Sequence, residues 1–196
     1  MRKLNKRKSK PSKLRCFVGI RFTLHAQITA LLSDLATCAE DETSKLRIAP
    51  PENLHITLKF LGSVPEAQLP TVQSLLKQLV IKHRPFDLSC AGIGFFKNSI
   101  WIGVESNKYL NSIASDADQA FSELGFGAEP KPYVPHITIA RFGKNAKIKL
   151  SALQEKYKVK SWGTIKADKI QLYKSDTLPE GARYTILENY TLEDSS

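Results

Sequence analysis

The 196-residue sequence predicts a mixed α+β protein with two lobes of similar design, and three observations predict it. Strand-like and helix-like segments alternate along most of the chain, with no long linker between them. A His-Ile-Thr motif occurs twice, at His55 and again 81 residues later at His136. Hydrophobic residues make up 42% and charged residues 24% of the chain, a globular balance that excludes disorder along its whole length.

The first half of the chain predicts two strands, each followed by a helix. Residues 15–22 are rich in aromatic and β-branched side chains, and residues 53–61 alternate apolar and polar ones, as strands do. Residues 24–39 and 66–82 carry leucine, isoleucine and valine at helical spacing. A charged loop that ends in two prolines separates the first helix from the second strand.

The second half begins with a predicted hairpin, in which strands over 86–96 and 99–105 flank a short turn at Lys97-Asn98. A helix over 107–124 comes next, and Gly125 marks its end because glycine readily adopts the backbone conformation that terminates helices. The remaining predicted elements are a strand over 134–142, a short helix over 151–157, and strands over 165–174 and 183–192 around a turn at Pro179-Glu180-Gly181.

Each copy of the repeated motif places a histidine and a threonine on one face of its strand, because side chains alternate between the two faces. His55 and Thr57 share a face with Lys59, and His136 shares one with Thr138. We expect the opposite face of the first strand to pack in the core, since it is wholly apolar: Leu54, Ile56, Leu58 and Phe60. If a pseudo-twofold axis relates the lobes, the two His/Thr pairs face each other across a cleft.

Two facing histidines suit acid–base chemistry near neutral pH. The ordinary pKa of histidine is about 6.5, so one imidazole can accept a proton while the other donates one. The hydroxyls of Thr57 and Thr138 can donate hydrogen bonds to phosphate oxygens. Two histidines without a nearby carboxylate cluster make a poor zinc site, so we expect phosphodiester cleavage without a metal.

The two motifs and their flanking residues resemble those of the two-histidine (2H) phosphoesterase superfamily. Within it, the chain resembles the RNA 2′,3′-cyclic phosphodiesterases, also called LigT-like proteins or 2′-5′ RNA ligases. The resemblance covers about residues 15–192. The two matching motifs are His55-Ile56-Thr57-Leu58 and His136-Ile137-Thr138-Ile139. Segments along the rest of the chain match as well: Arg15-Cys16-Phe17-Val18-Gly19-Ile20, Pro51-Glu52-Asn53-Leu54, Phe60-Leu61-Gly62-Ser63-Val64, Trp101-Ile102-Gly103-Val104, Pro135, Arg141, Leu172-Tyr173-Lys174-Ser175 and Tyr184-Thr185-Ile186-Leu187.

The resemblance implies a bilobal LigT-like fold with two antiparallel sheets, flanked by helices, around a central cleft. It implies an enzyme that hydrolyses RNA 2′,3′-cyclic phosphate ends to 2′-phosphomonoesters without a cofactor, with reverse 2′-5′ ligation as a second capability. By the same resemblance, His55 is the proton donor and His136 the proton acceptor. Thr57 and Thr138 are then the phosphate ligands.

Three further residues are candidate substrate-binding groups. Arg141 could clamp the phosphate, although strict alternation would put it on the face opposite His136 and leave it to a surface salt bridge. Tyr133 could stack on a base. Trp101 could do so too, although a large aromatic side chain in an apolar strand is more often part of the core. Lys59 could attract substrate or simply be solvated.

The net charge of +10 is concentrated near the N-terminus. Residues 1–15 hold eight of the 29 lysines and arginines and no acidic residue, so the remainder carries 21 minus 19, or +2. We therefore divide the chain into a basic, disordered tail over 1–14 and a single bilobal domain over 15–196. The tail suits nucleic-acid binding, or is merely a solvated segment.

Other sequence features concern location and partners. The chain shows neither an apolar segment of membrane-spanning length nor a signal-peptide core, and three scattered cysteines suggest reduced thiols, so we expect a cytoplasmic protein without membrane contact. We expect a monomer that has no obligate protein partner and acts on RNA, with tRNA fragments among its substrates. Two alternatives stay open: a related phosphodiesterase acting on 2′-5′ oligoadenylate or a cyclic nucleotide phosphate, and an RNA-binding module with vestigial chemistry.

Overall fold

The computed structural model describes residues 12–38, 45–143, 150–179 and 181–194. Within these ranges the chain forms nine strands and four α-helices. The strands are β1 (Lys13–Arg21), β2 (Arg47–Ile48), β3 (His55–Pro65), β4 (Phe86–Phe96), β5 (Ser99–Val104), β6 (His136–Arg141), β7 (Ser161–Ala167), β8 (Lys169–Leu178) and β9 (Gly181–Thr191). The helices are α1 (Thr29–Thr37), α2 (Leu69–Val80), α3 (Lys108–Glu123) and α4 (Ser151–Tyr157).

Most predicted elements are confirmed, and the differences lie in two places. The single strand predicted over 165–174 is wrong, because β7 and β8 are separate strands that lie far apart in the sheet. Buried apolar residues continue on both sides of Asp168, so the pattern does not mark the boundary. The two-residue strand β2 was not predicted, since it is too short for any periodicity.

The strands form one antiparallel arrangement in the order β7-β4-β5-β6-β3-β1-β8-β9, with β2 paired to β6. It consists of two four-stranded halves, and these join where β6 meets β3 through the single pair Ile56 and Ile137. The bilobal α+β architecture is confirmed. The two sheets predicted for it are continuous with each other through this one pair.

The repeated motif is reproduced in the strand register. In the first lobe β1 pairs with β3 so that Val18 faces Lys59 and Gly19 faces Thr57, which leaves Leu58 as an extra residue. In the second lobe, β5 pairs with β6 in the same way and leaves Ile139 as the extra residue. Each histidine is therefore followed, three residues later, by a β-bulge at the equivalent position.

The bulges reverse the alternation of side chains beyond them. Lys59 is only 1% exposed, whereas Phe60 is 56% exposed and lines the same cleft as His55. The expectations that Phe60 packs in the core and that Lys59 shares the face of His55 are therefore both wrong. The equivalent shift in β6 buries Ala140 and brings Arg141 to the face of His136.

The helices cover the sheet on the face opposite the motif side chains. α2 and α3 contact each other, α3 also contacts β3, and α2 contacts β9. The α3 helix begins at Asn107, whose side-chain oxygen accepts hydrogen bonds from two backbone N–H groups of the first turn. It ends as predicted at Gly125, which has a φ of +94°.

Two sequence expectations concern the ends of the chain and membrane contact. Residues 1–11 of the predicted tail lie outside the described residues, and residues 13 and 14 belong to β1. In the described part of the chain, every helix is too short or too polar to cross a membrane.

Candidate active site

The two His/Thr pairs line one cleft of about 520 Å³, which has the size of a small-molecule site. The pairing of Ile56 with Ile137 brings them together, because these residues sit between the histidine and the threonine of each motif. Antiparallel order sets His55 on the side of Thr138 and Thr57 on the side of His136. Arg141 also lines the cleft.

Both imidazoles are held in the same orientation by the backbone. The Nδ1 atom of His55 lies 2.6 Å from the carbonyl oxygen of Asn53, and that of His136 lies 2.7 Å from the carbonyl oxygen of Val134. A carbonyl oxygen only accepts hydrogen bonds, so each Nδ1 carries the hydrogen. The Nε2 atoms are therefore left for proton exchange with a molecule in the cleft.

Asn53 connects His55 to the wall of the cleft formed by β9. It is 8% exposed, and its side-chain amide donates to the carbonyl oxygen of Ala182 at 2.7 Å. Its side-chain oxygen accepts from the backbone N–H of Tyr184 at 3.2 Å. The residue that orients the imidazole of His55 thus also fixes the start of β9.

The two histidines have different surroundings. The rings of Phe17, Tyr184 and Tyr173 surround His55, with centroids 4.5, 5.0 and 5.6 Å from the imidazole. Burial is the main cause that lowers the pKa of His55 to about 4. The hydrogen bond to Asn53 opposes this effect, and the charges of His136 and Arg141 add to it. His136 contacts the ring of Phe96 at 5.0 Å.

Two predicted substrate-binding residues do not line the cleft. The hydroxyl of Tyr133 donates to the carbonyl oxygen of Thr57 at 3.0 Å, and burial raises the pKa of Tyr133. Trp101 lies 6.0 Å from His136 between ring centroids, and its ring occupies the space over Gly94. Tyr133 and Trp101 thus lie beside Thr57 and His136, and contact of either residue with RNA stays a prediction.

Several residues that line the cleft were not singled out from the sequence. They are Lys45, Arg47, Asn98, Arg183 and Tyr184, in addition to Phe60. One signal could have found Phe60: it occupies the same place after His55 that Arg141 occupies after His136. The others lie outside the repeated motif, and nothing in their local pattern marks them.

We found no arrangement suited to a metal in the described ranges, where no three His, Cys, Asp or Glu side chains cluster. The three cysteines are free. Burial raises the pKa of the Cys16 and Cys90 thiols to about 11, so these thiols are poor nucleophiles at neutral pH. The reactive groups that line the cleft include imidazoles, hydroxyls, cations and the carboxylate of Glu52.

The chain is similar to known proteins over most of its length. The 2′-5′ RNA ligase superfamily matches residues 23–178. The RNA 2′,3′-cyclic phosphodiesterase of Methanocaldococcus jannaschii is 39% identical over 152 residues, which are 74% of this chain and 84% of that protein. The protein of the same name from Methanothermobacter thermautotrophicus is 28% identical over 186 residues, which are 92% of this chain and 100% of that protein.

Solved structures agree with this comparison. TT0787 of Thermus thermophilus is 25% identical with a TM-score of 0.75, and the match covers 93% of this chain and 100% of that one. Escherichia coli LigT complexed with 3′-AMP is 22% identical with a TM-score of 0.74, over the same shares of the two chains. The LigT structure shows a shared fold.

Proposed function

The chain belongs to the 2′-5′ RNA ligase superfamily, and on that basis we propose that it hydrolyses RNA 2′,3′-cyclic phosphate ends to 2′-phosphomonoesters. The observation that carries the proposal is the pair of histidines, each with its Nε2 atom free and a threonine two residues on, in one cleft. The names of the curated relatives support the same reaction.

In the proposed reaction, water attacks phosphorus and the bond from phosphorus to O3′ breaks. His136 accepts the proton of the attacking water, and His55 donates a proton to the departing O3′. Thr57 and Thr138 donate hydrogen bonds to the non-bridging oxygens, and Arg141 adds positive charge. The product keeps the phosphate on O2′, and the reverse reaction would form a 2′-5′ linkage.

The buried surroundings of His55 place a condition on its proposed role as the proton donor. Burial favours the neutral imidazole in the free protein, whereas a proton donor must be charged. The anionic phosphate, held between the two threonines, supplies negative charge that raises the pKa of His55 when substrate is bound. We therefore propose that substrate binding itself prepares His55 as the acid.

This requirement predicts a difference between two pH–rate profiles. The profile of kcat/KM reports the free enzyme, so its acidic limb should fall near pH 4, which is the pKa of His55 in the free protein. The acidic limb of kcat should lie at higher pH, because bound phosphate raises the pKa. An acidic limb of kcat/KM near the ordinary histidine value of about 6.5 would contradict the account.

A sulfur leaving group separates the roles of the two histidines. We expect a cyclic substrate with sulfur in place of O3′ to restore most of the lost rate to His55→Ala, because a thiolate leaves without protonation. The same substrate should not rescue His136→Ala, which lacks the base. Rescue of His136→Ala instead would show that the two roles are reversed.

The function itself is tested by offering three substrates in the presence of EDTA. These are an RNA ending in a 2′,3′-cyclic phosphate, a 2′-5′ oligoadenylate and a 3′,5′-cyclic nucleotide. We expect rapid hydrolysis of the first alone. Faster hydrolysis of either of the other two would show that the site acts on that substrate instead. Binding of RNA without hydrolysis of any substrate would favour an RNA-binding module with vestigial chemistry.

We further propose that residues 15–196 act as one domain and that the protein works as a cytoplasmic monomer without an obligate protein partner. One hydrophobic core that extends through both lobes supports the single domain. The free cysteines are consistent with a reducing compartment. RNA ends, including those of tRNA fragments, are the proposed substrates.

A further inference from the structure

Two arginines lie directly opposite each other at one end of the cleft. Arg47 of β2 pairs with Arg141 of β6, and both residues line the cleft. Side chains at paired positions of antiparallel strands are about 5 Å apart at Cβ, and like charges placed there destabilise the pair. This arrangement favours an anion between or beside the two guanidinium groups.

The other charges of the cleft do not neutralise this pair. Lys45 and Arg183 are further cations in the lining, and Glu52 is the one carboxylate that the described residues contribute to it. Among the described residues, neither Arg47 nor Arg141 has a carboxylate within ion-pair distance. The end of the cleft at β2 is therefore strongly positive.

Arg47 lies farther along β6 than the two histidines. β2 adjoins β6 only at Ala140 and Arg141, whereas His136 lies at the opposite end of β6. Five residues of extended strand span about 16 Å. β2 lies on the same edge of β6 as β3, because β5 pairs along the other edge, and Arg47 joins that edge four residues beyond the Ile56–Ile137 pair. Arg47 therefore stands toward the rim of the cleft, farther along β6 than either histidine.

We propose that Arg47, together with Lys45, binds the phosphate that precedes the terminal nucleotide of the RNA. This inference rests on the proposed function, because an RNA strand with its cyclic end at the histidines continues out of the cleft with a phosphate at every nucleotide. The enzyme would then prefer an oligonucleotide end to a mononucleoside 2′,3′-cyclic phosphate, which has no such phosphate.

The test compares the Arg47→Gln variant with the parent on a tetranucleotide ending in a 2′,3′-cyclic phosphate and on adenosine 2′,3′-cyclic phosphate. We expect kcat/KM to fall about tenfold on the tetranucleotide, mainly through KM, as for loss of one charge-assisted hydrogen bond. The fall on the mononucleoside should be far smaller. Arg84→Gln is the matched control, because Arg84 is exposed and does not line the cleft.

Salt dependence identifies the contact as one with phosphate. Each phosphate contact of a single strand contributes about 0.7 to the slope of log affinity against log salt, so Arg47→Gln should reduce that slope by about this amount. An equal loss on both substrates would place Arg47 at the reacting phosphate and overturn the inference. No loss on either substrate would overturn it as well.

Binding measurements keep the inference separate from the catalytic proposal. If the folded parent hydrolyses neither substrate, the proposed function fails, and affinity is then compared for the tetranucleotide ending in a 2′-phosphate and for 2′-AMP. If Arg47→Gln binds the tetranucleotide more weakly than the parent does but binds 2′-AMP equally well, the upstream phosphate contact is supported. If Arg47→Gln binds both ligands as tightly as the parent does, the proposed contact is refuted.

Discussion

Replacing either His55 or His136 by alanine should lower kcat on an RNA with a 2′,3′-cyclic end at least about a hundredfold, because each variant loses one partner in proton transfer. The fold should survive, since both imidazoles lie on the cleft side of their strands and the core residues Ile56 and Ile137 are untouched. Steady-state kinetics and thermal unfolding of the same preparations measure both effects.

The chain contains its own matched controls for these variants. His25 and His83 are the other two histidines, and neither lines the cleft. His83 contacts Asp116 of α3 at 2.9 Å, so His83→Ala should alter stability more than turnover. Near-normal turnover of His55→Ala or His136→Ala would refute the two-histidine mechanism.

Replacing Lys59 by alanine should destabilise the fold by about 3 kcal/mol without altering the chemistry of the cleft. The Lys59 ammonium is buried, donates to Asp118 Oδ1 at 2.5 Å and donates to the carbonyl oxygen of Gly127 at 2.5 Å. Alanine removes both hydrogen bonds and leaves a cavity where the aliphatic part of the side chain was packed. Chemical denaturation measures the loss.

The Lys59→Met variant is the control for packing, because it keeps most of the aliphatic volume. It should be more stable than Lys59→Ala, because methionine fills the cavity that alanine leaves. Asp118 is one-third exposed, so water can replace its lost partner in both variants. Equal stability of Lys59→Ala and the parent would show that the buried ion pair contributes nothing.

The same ion pair predicts how stability depends on pH. The hydrogen bond from Lys59 holds the pKa of Asp118 below its usual value, so the pair stabilises the fold above the unfolded pKa of about 3.9. This contribution is lost as the pH falls through the lower, folded value. Between these two pH values, the free energy of unfolding of Lys59→Met should therefore fall less on acidification than that of the parent.

The catalytic groups could be predicted from the sequence because they repeat. Two copies of one motif identified His55, Thr57, His136 and Thr138, and strand periodicity placed them on the faces that line the cleft. Alternation could not predict the side-chain directions beyond each motif, since a β-bulge inserts one residue without altering the apolar pattern. Lys59 therefore has the sequence pattern of an exposed residue. Its ion-pair partner, Asp118, is 59 positions away in the sequence, so no local pattern connects the two residues.

The residues at the rim of the cleft could not be predicted either, and the reason is a different one. Arg47 belongs to a strand of two residues, and its position opposite Arg141 depends on a pairing between segments almost a hundred residues apart. Likewise, the rings that bury His55 come from β1, β8 and β9, and no local pattern connects them. Such features are set by tertiary pairing alone.

The most direct test of the central claim is a single-turnover reaction on an RNA with a 2′,3′-cyclic phosphate in EDTA, with the product phosphate located on O2′ or O3′ by phosphorus NMR. The parent should produce the 2′-phosphomonoester, and the His55→Ala/His136→Ala double variant should leave the substrate intact. A 3′-phosphomonoester product, or conversion by the folded double variant at the rate of the parent, would contradict the account.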